Sequence, residues 1–308
     1  MRNEPGTTAT VNRMYKSTLF AMLFGDREHL LELYNAMSGK HYNDPELLEI
    51  NTLENAIYMS MKNDVSFLID GSLSLYEHQS TYSPNLPLRF LLYVSALYSG
   101  MTRTKNLYGT KAVPIPSPRF VIFYNGEEDR PEQETLKLSN LYTVKEEEIN
   151  LELTALFLNI RGRNNTALKQ ACRTLREYAV FTDKMREYVK AGSVEAAADR
   201  TIEECIREDI LKDFLTKHKA EVKTVSIFEY NQEEHIRMER EEAWEEGRNA
   251  GLAEGKQAGL AEGEERKLCE LVKKKLEKGL TISQIAEILE ENSSIIADLT
   301  KKYHLINK

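Results

Sequence analysis

Two short apolar runs separated by Asp-Gly-Ser, in KNDVSFLIDGSLSLYEHQ over 62–79, constrain this fold more than any other stretch. Asp-Gly between alternating apolar residues is a hairpin signal, so 64–70 and 73–80 are expected to lie side by side as antiparallel strands. Side chains alternate faces along a strand. Leu73, Leu75, Glu77 and Gln79 therefore share one face, while Ser74, Tyr76 and His78 share the other. An acid and an amide thus continue a row of leucines. The same register brings Asp64, at the start of the first strand, beside Glu77 near the end of the second.

The flanking sequence supplies more of a mixed sheet and its cover. Apolar residues at helical spacing over 11–38 (Met14, Leu19, Met22, Leu23, Leu30, Leu31, Leu33), interrupted near Gly25, predict one or two helices. Further extended segments are expected at 47–53 and 56–61. PLRFLLYVSALYSGM opens on a first-turn proline and predicts a buried helix over 87–104. The proline-flanked run PSPRFVIFYNG reads as an inner strand near 119–124, and INLELTALFLNI holds another. Strands interleaved with helices imply an α/β fold, a mixed sheet flanked by helices. From about 165 the pattern is helical almost to the end.

Charge is unevenly spread along the 308 residues, whose formal net charge is -8. Residues 161–190 carry eight basic and three acidic side chains, a local balance of +5, whereas 201–250 carry eight basic and fourteen acidic, a balance of -6. Arg161 and Arg163 open the basic run. Lys169, Arg173 and Arg176 would share a face of one continuous helix, a track for phosphates; the alternative is a solvated face of mixed charge. Cys172, Cys205 and Cys269 lack metal or disulfide spacing and read as reduced, buried thiols. No apolar run approaches the roughly 18 to 20 residues of a membrane span, and MRNEPGTTATVNRMYKS lacks the apolar block of a secretory signal. No membrane partner and a cytoplasmic location are expected.

Glycine recurs every four residues at 247, 251, 255, 259 and 263. Four residues advance about 400° around an α-helix, so these glycines form a slowly drifting smooth stripe suited to close approach by another helix. Self-association as a homo-oligomer through this C-terminal region is the expectation; a flexible acidic linker is the alternative. Beyond it, GLTISQIAEILEENSSIIADLTKKY predicts two short helices around Asn-Ser-Ser, the first capped by Thr281 or Ser283. Without an arginine on its second helix, this pair suits a capping or dimerisation unit better than a base reader.

The chemistry lies in the hairpin. Two carboxylates held together repel, and one must protonate unless a divalent cation sits between them. Mg²⁺ takes one or two carboxylates, keeps several waters and finds further oxygens on a phosphate. Each residue also has a plainer reading: Asp64 as a strand opener after a turn, Glu77 as the ion-pair partner of Arg89, and His78 as an ordinary side chain on the opposite face.

Asp64 followed at a distance by Glu77-His78-Gln79 resembles the core of the PD-(D/E)XK nuclease superfamily. The E-x-Q form is that of the Rpn family of recombination-promoting nucleases, also labelled transposase-like. The resemblance runs through KNDVSFLID, YEHQSTYSPNLPLRFLLYVSALY, PSPRFVIFYNG, ADRTIEECIREDILKDFLTKHKAEV and the Glu/Gly-rich tail. It implies a restriction-endonuclease-like core over 1–160, a helical extension over 161–230 and a helical C-terminal module over 231–308. It makes Asp64 and Glu77 metal ligands, with the backbone carbonyl of His78 as a third. Asp64, Glu77 and Gln79 become the catalytic set, Gln79 standing where the superfamily usually has lysine. An amide offers hydrogen bonds but no charge, so catalysis would lean harder on metal. The implied ion is Mg²⁺, with Mn²⁺ or Ca²⁺ as substitutes. The implied partner is DNA, cleaved with low sequence specificity. The competing expectation is a catalytically weak DNA-binding or regulatory protein that keeps the fold. Lys62, two residues before Asp64, is a further cation on the same segment.

Overall fold

A computed structural model describes residues 18–50 and 64–305. The expected helical residues 11–17, the extended segments 51–53 and 56–61, and Lys62 lie outside the described residues. The chain divides into two compact units, Met1–Glu234 and His235–Lys308.

Among the described residues the first unit is a mixed α/β structure built on an open six-stranded sheet. Its strands are β1 (Glu49–Ile50), β2 (Val65–Ile69), β3 (Ser72–Gln79), β4 (Ser117–Tyr124), β5 (Gln133–Lys137) and β6 (Thr154–Asn159), in the spatial order β1-β2-β3-β4-β6-β5. β2 and β3 pair antiparallel, with Val65 opposite Tyr76 and Ile69 opposite Ser72. The turn between them is Asp70-Gly71, both left-handed with φ of 51° and 70°, the backbone that a two-residue hairpin of this twist requires. β3 and β4 run parallel, as do β4 and β6. Parallel neighbours need a crossover, and the 17-residue helix Leu86–Thr102 provides it between β3 and β4.

Helices cover both faces. Leu73 and Leu75 of β3 pack with Leu86, Phe90, Tyr93 and Leu97 of the crossover helix and with Ile122 and Phe157. On the other face Phe67, Tyr76 and Phe123 meet the helices Leu19–Phe24 and Arg27–Ser38. The helices Arg173–Val189, Val194–Arg207 and Lys212–Lys217 add Leu175, Tyr178, Phe181, Ile202 and Leu215 to that second core. Burying each such side chain contributes about 1.5 to 3 kcal/mol. The segment after 160 is therefore one of the layers that bury the sheet.

The helices to this point, numbered from the N-terminus, are α1 (Leu19–Phe24), α2 (Arg27–Ser38), α3 (Leu86–Thr102), α4 (Thr166–Ala171), α5 (Arg173–Val189), α6 (Val194–Arg207), α7 (Lys212–Lys217) and α8 (Lys219–Leu276). The expectation that Lys169, Arg173 and Arg176 share one helix face is corrected. Cys172 has extended backbone, ends α4 and caps α5, its Sγ accepting from the Leu175 amide at 3.4 Å. The helix is broken between Lys169 and Arg173.

Within the second unit, α9 (Ile282–Leu289) starts in a reciprocal capping box between Thr281 and Gln284, and α10 (Ser293–Lys302) starts at Asn292. Val272, Ile285, Ala286 and Ile296 form their small core. The glycines at 247 to 263 lie in α8, and a Cβ added at any of them meets nothing within 4 Å among the described residues. No described helix is long and apolar enough to cross a membrane.

Candidate active site

Asp64 directly precedes β2, and the β2–β3 register continues from Val65–Tyr76 to place it across from Glu77. Backbone amides also reach across to the two carboxylates. The Asp64 amide donates to Glu77 Oε2 at 3.3 Å, and the His78 amide donates to Asp64 Oδ2 at 2.7 Å. Thr18 closes the other side of Asp64, its hydroxyl donating to Oδ1 at 3.0 Å while accepting from the Ala21 amide as the cap of α1. The N–H and C=O of one strand residue leave on the same edge, so the His78 carbonyl is directed to the edge of β3 where Asp64 sits.

Glu77 is 3% exposed. Its Oε1 accepts from Arg89 of α3 at 2.5 Å and from Gln79 Nε2 at 3.3 Å. The ion pair with Arg89 foreseen as an alternative is therefore formed. It leaves the pair of acids with less positive charge than they need. Burial first, and then the neighbouring Asp64, push Glu77 up to about 8 against the opposing pull of Arg89. Burial likewise lifts Asp64 to about 6, although the His78 amide and Thr18 hydroxyl hold it down in part. Two oxygen-donor side chains short of compensating charge form the donor set that a hard divalent cation accepts. Among the described residues no group of three or more His, Cys, Asp or Glu side chains gathers, so any further ligands are backbone or solvent oxygens.

The His78 side chain points to the opposite face. Its ring stacks on Phe20 at 5.5 Å and its Nε2 bonds the Tyr178 hydroxyl at 3.0 Å. Burial pushes its pKa down to about 4, so the imidazole is neutral and structural. Thr18 and Tyr93, whose hydroxyl accepts from Arg89 at 3.0 Å, were not signalled by sequence. Thr18 is recognisable as a helix cap, but its reach to Asp64 spans 46 positions and depends on tertiary packing.

The basic residues after β6 separate into two kinds. Arg161 donates through NH1 to the carbonyls of Gly126 and Glu127 at 3.3 and 2.8 Å, and buried Lys169 caps the carbonyls of Ile160 and Gly162 at 3.2 and 2.5 Å. Arg173 pairs with Glu177 and Asp209. Arg163 and Arg176 are exposed.

No protein-family model, no curated protein and no solved structure matches this chain. The functional reading rests on the residues themselves. Asp64, Glu77 and Gln79 gather at one end of the hairpin, together with Arg89, while Lys169 lies on a different helix from Arg173 and Arg176.

Proposed function

We propose that this chain is a metal-dependent DNA endonuclease of low sequence specificity, with a restriction-endonuclease-like core, whose strand breaks promote recombination. The observation that carries the reading is the buried acid pair: burial raises the energy of both ionised forms, Asp64 adds to that of Glu77, and a divalent cation would relieve it. Asp64, Glu77 and the His78 carbonyl would hold Mg²⁺, or Mn²⁺ or Ca²⁺ in its place. When bound, such an ion polarises a phosphoryl oxygen and lowers the pKa of its water. The chain's own part is orientation. The His78 amide and Thr18 hydroxyl fix the Asp64 carboxylate, so its direction does not depend on the ion. Gln79, tied to Glu77 through Nε2, keeps its amide oxygen free to accept a hydrogen bond from, and so orient, a water, but it adds no charge and takes no proton. Arg163 and Arg176 are available to the sugar-phosphate backbone, a contact that carries no sequence information.

Nicking of supercoiled plasmid in Mg²⁺ tests this. The parent converts plasmid to the open circle, and Asp64→Ala and Glu77→Ala fall to the level of a chelator control. Equal activity in all three proteins would place the reaction outside this site. One observation favours a second reading, a DNA-binding or regulatory protein without efficient chemistry: Arg89 already supplies Glu77 with a counter-ion. Under that reading the parent binds DNA and leaves it intact.

A further inference from the structure

The Arg89 guanidinium is held on two of its three nitrogens. Nε and NH2 both donate to the Tyr93 hydroxyl, at 3.1 and 3.0 Å, and NH2 also donates to Glu77. Among the described residues NH1 has no hydrogen-bond partner, so its two N–H groups are uncommitted. The side chain is 31% exposed, against 3% for Glu77. The arginine thus has a fixed inner edge and an outer edge open to solvent. It is also the one cation among the described groups that bond either acid: Asp64 is met by a backbone amide and a hydroxyl, and Glu77 otherwise by an amide N–H and the Gln79 amide. Arg89 lies in the first turn of α3, and the preceding Asn85 makes no side-chain cap, so the positive end of the helix adds to the same local potential.

A phosphodiester carries a negative charge and would be repelled by ionised Asp64 and Glu77. Forked N–H pairs on a positioned guanidinium are well matched to phosphate oxygens. We propose that Arg89 is the phosphate-binding residue of this site: its NH1 edge holds a non-bridging oxygen of the DNA backbone beside the acid pair while Tyr93 and Glu77 fix its inner edge. This deepens the nuclease reading and rests on it for the substrate. It also assigns Tyr93 a positioning role, since its hydroxyl sets the direction of the fork.

Removing Arg89 alone strands a buried acid and can unfold the chain. The test therefore compares Glu77→Gln with the double variant Glu77→Gln/Arg89→Gln, in which no buried carboxylate is left unpaired at position 77. Binding of a fluorescein-labelled duplex oligonucleotide is followed by anisotropy in chelator over a range of salt, with thermal melts confirming that both variants fold. The double variant is expected to bind about tenfold more weakly, the order of one charge-assisted hydrogen bond. Its slope of log affinity against log salt should be shallower by about 0.9, the change for one lost phosphate contact. Glu77→Gln/Arg89→Lys should recover part of both. Equal affinity and slope in the single and double variants would overturn the role of Arg89. That outcome with a parent that nicks plasmid leaves the nuclease reading standing. The expected loss of binding with an inert parent keeps Arg89 as a phosphate contact and removes the reaction.

Discussion

At the residue scale, Glu77 carries the most consequential conflict in the molecule. A carboxyl that is 3% exposed and faces a second acid binds its proton more tightly when folded than when unfolded. A folded pKa raised to about 8 contributes stability that is fully present below the ordinary carboxylate range and is lost as pH rises through 8. His78 works in the opposite direction, its pKa lowered to about 4, but its opposing slope fades as pH rises above about 6.5, where the unfolded imidazole gives up its proton. Between pH 6.5 and 8 in chelator, the stability of the parent should therefore fall by up to about 1.4 kcal/mol per pH unit. Glu77→Gln should flatten that slope in urea denaturation. A parent whose stability is level across this range would mean that Glu77 is already ionised in the folded chain.

At the element scale, the hairpin decides where the acids go, and its turn decides the hairpin. Gly71 holds φ of 70° with nothing near an added Cβ, so the cost of a side chain there is conformational and not steric crowding. Gly71→Ala should destabilise the chain by about 1 kcal/mol, the order of the left-handed penalty for an L-residue. Chemical denaturation reads this directly; an unchanged midpoint would show that the turn does not govern the register. The hairpin was legible because Asp-Gly and period-2 alternation are local signals. From them followed the meeting of Asp64 with Glu77; the inner strand ending at Tyr124 was legible instead as a proline-flanked apolar run, and the buried helix, observed as Leu86–Thr102, from its first-turn proline. β5 was not legible. Gln133, Glu134 and Lys137 line an edge strand whose one buried side chain is Leu136, so it carries almost no apolar periodicity. The break at Cys172 was missed for another reason: a thiol is not among the usual cap residues, and the apolar spacing reads straight through it. Lys169 was mistaken for a surface cation because nothing local reveals that its ammonium caps two carbonyls of the preceding loop.

At the scale of the whole molecule, the acid pair is assembled entirely within the unit Met1–Glu234, from the hairpin, the start of α1 and the first turn of α3. The acids could be paired from sequence since thirteen residues and one turn separate them. Thr18 and Arg89 could not be assigned with the same force, because each arrives from a helix packed on the sheet. The unit His235–Lys308 has its own small core around Val272 and Ile285, and of the two caps expected there, Thr281 or Ser283, Thr281 is the one observed. In the proposed function Asp64 and Glu77 would hold one divalent cation between them. Calorimetric titration of Mn²⁺ into the full-length chain measures this most directly. One ion should bind per chain, more tightly at pH 8 than at pH 6 because the acids must shed their protons, and Asp64→Asn and Glu77→Gln should each abolish the binding. Binding that persists unchanged in both variants, or a parent that takes up no ion at either pH, would contradict it.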